Sequence, residues 1–145
     1  MNLFECKVSH VDKSTSKKIT ETYIVDAMSF VEAETILNKE IGEYYKEADF
    51  KVSSSVRTVH IADVVGKDKD ADKWYKAKVC FVYVNEVTGK EEKSNSMILV
   101  HSDNIEEALK DLVKFLNDSI SDNEILSITN TPIVDIINFS NSYVI

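Results

Sequence analysis

Trp74, Lys76 and Lys78 stand two residues apart, so on a strand they share one face. An exposed indole can stack a nucleobase, and two ammonium groups can meet the phosphates beside it. Single-stranded nucleic acid is held without sequence readout in this way. The same face continues through Cys80, Val82 and Val84. That apolar continuation suits a strand whose second face packs against another layer or a partner subunit. Trp74, Lys76, Lys78, Val82 and Val84 therefore form the candidate interaction surface. Protein contact is the first reading of it, and single-stranded nucleic acid is the alternative.

Other chemistry is sparse. Asp26, Asp63 and Asp135 adjoin apolar runs, where a carboxyl can be a buried acid or can cap a backbone turn. Capping is the simpler role. The metal-ligating types are His10, His60, His101, Cys6 and Cys80. Cys6 and His10 are four apart, about 13 Å on an extended chain, too far for one metal. Asp68, Asp70 and Asp72 alternate with other residues, but no Gly-centred loop with a closing Glu accompanies them, as a calcium loop requires. No G-x-S-x-G, P-loop or G-x-G-x-x-G occurs, and Gly42, Gly66 and Gly89 leave few places for backbone to wrap a phosphate. No catalytic residue, cofactor or metal is assigned. A small-molecule-binding or sensing protein is the third reading.

The elements that must position the candidate surface come in two series. Phe4, Cys6 and Val8 alternate with polar residues, and 75 residues on so do Val79, Phe81 and Tyr83. Segments 22–25 and 97–100 read as second strands, the latter after a turn at Val87-Thr88-Gly89-Lys90. Ser29 with Glu32, and Asn104 with Glu107, have the spacing of helix caps. They predict helices near 29–45 and 104–119. Their apolar stripes are Phe30, Ala33, Leu37, Ile41, Tyr44 and Ile105, Ala108, Leu112, Leu116, Ile120. Glu106 and Lys110 have ion-pair spacing on the second helix. Strands at 50–53 and 125–128 follow. The fold expected is α+β: two β-β-α-β units related by an approximate internal repeat, with antiparallel sheets and one helix each. Halves 1–63 and 74–138 would lie in a single domain, 1–145, joined by a charged solvated loop at 64–73. Pro132 opens a last apolar run, 133–139, before a polar hinge and an apolar end. The apolar surplus predicts a homo-oligomer, most simply a two-fold dimer.

Composition is consistent with this. The 145 residues are 43% hydrophobic and 29% charged, with one proline, as a globular chain is. A net charge of −8 works against holding duplex DNA by its phosphates. No apolar run approaches the roughly 18 residues of a membrane span. Residues 1–7 lack the apolar run of a secretory leader, so the cytoplasm is the expected location. Cys6 and Cys80 read as buried thiols rather than a disulfide framework.

Phe4-Glu5-Cys6-Lys7-Val8, the run from Tyr23 to Glu34, Trp74-Tyr75-Lys76-Ala77-Lys78-Val79 and the run from Ile128 to Asp135 together resemble one family. It is an uncharacterised family of small proteins, a domain of unknown function, found in Bacteroidetes bacteria and their phages or mobile elements. The resemblance implies a source and a genetic setting, but no mechanism and no catalytic residue. The expectation is a non-enzymatic cytoplasmic accessory or interaction protein of phage or mobile-element type.

Overall fold

A computed structural model of the chain describes residues 2–11, 14–42, 50–52, 57–119, 121–139 and 142–144. The elements in chain order are β1 (Asn2–Val11), β2 (Lys18–Ala27), α1 (Phe30–Gly42), β3 (Phe50–Val52), β4 (Arg57–Val59), β5 (Asp63–Val65), β6 (Lys73–Val84), β7 (Glu91–Ser102), α2 (Ile105–Asn117), β8 (Asp122–Asn130) and β9 (Ile133–Ile137). They form two compact units. One is Met1–His60 with Pro132–Ser140, the other Ile61–Thr131 with Asn141–Ile145.

Each unit is a sheet with one helix. The first sheet runs β3-β1-β2-β9, with β4 also pairing β1, and the second runs β8-β6-β7-β5. Residues 8–10 of β1 pair with β3 and residues 3–5 pair with β4. These two short strands thus take the two ends of one edge, where β8 spans the corresponding edge of β6. The β-β-α-β repeat is present in both units. The cores match in order: Phe4, Cys6, Val8, Tyr23, Val25, Ala33, Leu37 and Ile41 in one, Tyr75, Ala77, Val79, Ile98, Val100, Ala108, Leu112 and Leu116 in the other. Leu37 and Leu112 are fully buried at equivalent helix positions, each stabilising its unit by about 1.5–3 kcal/mol.

Both helices start where the caps require. Ser29 Oγ accepts from the Glu32 amide at 3.1 Å, and Asn104 Oδ1 accepts from the Glu107 amide at 2.9 Å. Tyr44 and Ile120, taken into the stripes from spacing, lie outside the described residues. Phe30 and Ile105, also taken into the stripes, are exposed. They occupy the first turn of each helix, though the Phe30 ring still meets that of Phe4, with centroids 4.9 Å apart. Among the described residues Glu106 and Lys110 form no ion pair.

The spacing between repeats differs from the uniform 75. Phe4, Cys6 and Val8 correspond to Tyr75, Ala77 and Val79, whereas Tyr23 and Val25 do correspond to Ile98 and Val100. The difference lies in the hairpin. The last pair of β1 and β2 is Val11 with Lys18, equivalent to Val82 with Lys93; β6 and β7 then add Tyr83 with Glu92 and Val84 with Glu91.

The sheets are also not wholly antiparallel. β5 pairs parallel with β7, and β9 pairs parallel with β2. Val64 and Val65, expected to open a solvated loop, are buried in β5. Ile61-Ala62-Asp63-Val64-Val65 and Ile133-Val134-Asp135-Ile136-Ile137 are variants of one segment. Asp63, Val64 and Val65 face Ile98, Leu99 and Val100. Asp135, Ile136 and Ile137 face the equivalent Tyr23, Ile24 and Val25. Each segment ends on a residue with positive φ, Gly66 at 71° and Asn138 at 62°, a region that Gly and Asn enter most readily. Each repeat therefore ends in one further strand, and that last strand completes the sheet of the other repeat. The expected halves 1–63 and 74–138 exchange these segments.

The charged loop is anchored. Lys69 Nζ reaches Asp111 Oδ2 of α2 at 2.9 Å and Glu107 Oε1 at 3.4 Å. The buried Asp111 carboxylate thereby gains its counter-ion.

Candidate protein-contact surface

β6 is central in its sheet and carries all five candidate residues, but they lie in different surroundings. Trp74 is 0% exposed. Its indole lies flat on the His101 ring across the β6–β7 pair, with centroids 4.3 Å apart and planes at 7°. The Trp74 carbonyl accepts from the Thr131 hydroxyl at 2.7 Å. His101 Nδ1 lies 3.2 and 3.1 Å from the Gly66 and Lys67 carbonyls, so it carries a proton and donates to them. The indole therefore presents no face to solvent on which a base could stack. Lys76 and Lys78 are exposed, Val82 is half-buried and Val84 is 64% exposed.

Val82 and Val84 lie where the sheet runs out. β8 reaches only as far as Asp122, opposite Val82. Tyr83 and Val84 pair with β7 alone. Beyond them the loop is tightly built. Asn85 Oδ1 accepts from the Val87 amide at 2.9 Å and the Thr88 amide at 3.3 Å. Asn85 Nδ2 donates to Glu92 Oε1 at 3.1 Å. The Asn85 amide donates to the Lys90 carbonyl, and the Gly89 amide to the Asn85 carbonyl. Gly89 has φ of 70° with open space around its α-carbon, the backbone expected from its place in the turn.

This ordered loop holds Val87 at 94% exposure, and at the end of β6 Val84 and Tyr83 are also exposed, on opposite faces of the strand. The Glu92 carboxylate hydrogen-bonds the Tyr83 hydroxyl and raises its pKa. Val87 and Tyr83 are the members of the surface that the spacing argument missed. Val87 sits in a turn, where periodicity carries no signal; the Asn-to-Gly turn chemistry around it was its only mark. Three apolar side chains on a hydrogen-bonded tip can bury area against a partner at little ordering cost. Among the described residues no cluster could hold a metal ion.

The other candidate acids do not share one role. Asp135 Oδ1 accepts from the Ile136 amide at 2.8 Å. Asp26 Oδ1 is buried with no hydrogen-bond partner among the described residues, while its backbone carbonyl accepts from Asn138 Nδ2 at 3.0 Å. Asp63 is exposed, with its pKa raised by partial desolvation of the carboxyl. Cys6 and Cys80 are buried free thiols. A cleft of about 110 Å³ lined by Gly66, Asp68, Lys69, Ser142, Tyr143 and Val144 is well below the several hundred Å³ of most ligand sites. Its one ammonium, Lys69, is already paired.

No protein of curated function and no solved structure matches the chain. Residues 2–139 match the family described as Domain of unknown function (DUF4494). The matched span takes in both repeats, both exchanged strands and the β6–β7 tip, and the chain belongs to that family.

Proposed function

We propose that the protein is a non-enzymatic accessory protein that acts by contacting another protein through the β6–β7 tip. Its setting in this reading is the cytoplasm of a bacterium of the Bacteroidetes type, or of the host of a mobile element. One observation carries the proposal. The hairpin of the second repeat is two residue pairs longer than that of the first, and the added length presents Tyr83, Val84 and Val87 to solvent. The first repeat folds the same core without that extension, so folding does not require it. Exposed apolar residues on both faces of an ordered projection suit a partner-binding surface.

The test uses the internal repeat as its control. Deleting Tyr83, Val84, Glu91 and Glu92 returns the hairpin to the length of β1–β2 and keeps the alternation of faces. The shortened chain should melt within a few degrees of the parent, since it loses three exposed residues and the half-buried Glu92 at the hairpin's end and keeps every core residue. Val87→Asp should lower affinity for the partner by roughly 5- to 30-fold, the effect of losing one central apolar anchor. Quantitative capture from the native host, with and without nuclease, compares parent and variants. The expected result is a protein enriched by the parent, lost with the shortened hairpin and indifferent to nuclease. Equal capture by both chains, or capture abolished by nuclease, overturns the proposal.

A further inference from the structure

A second surface, distinct from the tip, lies along α2. Ala108, Leu112 and Leu116 form its buried row. The adjoining row is Ile105, Leu109 and Val113, which are 46, 42 and 41% exposed. The first repeat again supplies a control. In α1 the buried row is Ala33, Leu37 and Ile41, and the adjoining row is Phe30, Glu34 and Asn38. Glu34 and Asn38 are exposed and polar, so the shared helix-on-sheet packing tolerates polar groups there. Leu109 and Val113 exceed what the core asks for.

The charges beside the row select the occupant. Glu106 and Lys110 flank Leu109 on its solvent side. Neither is engaged in an ion pair among the described residues, where the α2 pairs are those of Lys69 with Glu107 and Asp111. Two copies of α2 laid antiparallel about Leu109 bring Leu109 onto Leu109 and Ile105 onto Val113. That register sets Glu106 of each copy beside Lys110 of the other, giving two reciprocal ion pairs. In a parallel arrangement the two-fold runs along the helices and puts the two Glu106–Lys110 flanks on opposite sides of the seam, so neither ion pair forms.

We propose that a second copy of this chain docks on this row, α2 against α2 in antiparallel register, forming a two-fold dimer. The contact uses the same patch on both copies, so it closes at two. Three half-exposed side chains per copy make it a weak dimer, in the micromolar range.

Sedimentation velocity on the full chain from about 1 to about 200 µM tests this. The parent should shift from monomer to dimer over that range, and Leu109→Glu should remain monomeric. Glu106→Lys and Lys110→Glu should each weaken the dimer roughly tenfold through like-charge contact. The double variant carrying both should return to within a few-fold of the parent, because the pairs reform with signs exchanged. The charge variants change only exposed positions, and far-ultraviolet circular dichroism confirms that each folds. A parent monomeric throughout, a dimer indifferent to Leu109→Glu, or a double variant no better than the singles overturns the proposal. Loss of the dimer in the shortened hairpin but not in Leu109→Glu would place the contact at the tip instead and also overturn it.

Discussion

Trp74 shows what a residue's spacing does and does not carry. Its face on the strand was legible from alternation alone, and so was the exposure of Lys76 and Lys78. Its burial was not, because a strand pattern says which residues share a side and nothing about what covers that side. The indole nitrogen finds no acceptor among the described residues, an arrangement that costs about 1–3 kcal/mol. Trp74→Phe removes that donor while keeping an aromatic ring on His101, so it should change stability by under about 1.5 kcal/mol. Trp74→Ala should cost about 3–5 kcal/mol. Urea melts followed by circular dichroism measure both; equal losses would mean the donor carries no penalty. Cys6 gives a residue-scale prediction in pH. Burial, with smaller contributions from Glu34 and Glu5, pushes its thiol from 9.0 up to about 11. Below pH 9 both folded and unfolded chains keep the proton, and the stabilisation is fully present. Between about 9 and 11 the unfolded chain loses the proton that the folded chain retains, so stability falls as pH rises. The loss totals about 2–3 kcal/mol. Cys6→Ala lacks this dependence, so its stability should converge toward that of the parent as pH climbs from 9 to 11. Parallel stability curves for the two proteins would refute the assignment.

At the scale of elements, the helices were the most legible parts. Ser29 and Asn104 mark their starts, and both caps form the expected bond to the third residue on. The strands were legible in kind but not in register. Phe4, Cys6 and Val8 match Tyr75, Ala77 and Val79 rather than Val79, Phe81 and Tyr83, yet both sets lie on the same face. A period of two cannot distinguish a slip of four, because every even slip preserves which side is apolar. Register is set instead where the chain turns, and the longer β6–β7 hairpin moves that point. The exchanged last strands were hidden for different reasons. β5 has three residues, too few for a period to emerge from the charges that follow. β9 was legible as apolar, but its parallel partner could not be read from its own residues. The edges also carry devices that alternation cannot show. Ser127 and Ile125 of β8 face Lys78 and Val79, leaving Leu126 as an extra residue. Val134 is likewise extra in β9, between Ile133 and Asp135. Such bulges twist an edge strand away from further pairing. Association through a helix row or a hairpin tip leaves these edges unused.

The whole molecule is governed by the exchange of the last strand of each repeat. β9 follows β8 of one unit through Thr131 and Pro132, yet lies in the sheet of the other. β5 follows β4 and makes the reciprocal passage. Neither repeat as written in the sequence holds all the strands of one sheet. The chain after β9 then returns to the second unit, where the Tyr143 amide donates to the Val64 carbonyl and the Gly66 amide to that of Tyr143. Melting either sheet releases a segment whose neighbours in sequence belong to the other, so the two units should unfold in one transition. Ile136 tests this. It is buried in β9, opposite Ile24 in the first unit, and Ile136→Ala should cost about 2–5 kcal/mol. The chain has one tryptophan, Trp74, in the second unit, so its fluorescence reports that unit alone. Circular dichroism reports both. If the exchange couples the units, Ile136→Ala should lower the urea midpoint by the same amount in both signals, and the two traces should coincide before and after substitution. A fluorescence midpoint left at the parent value while the dichroism trace splits would show that each unit unfolds independently despite sharing strands.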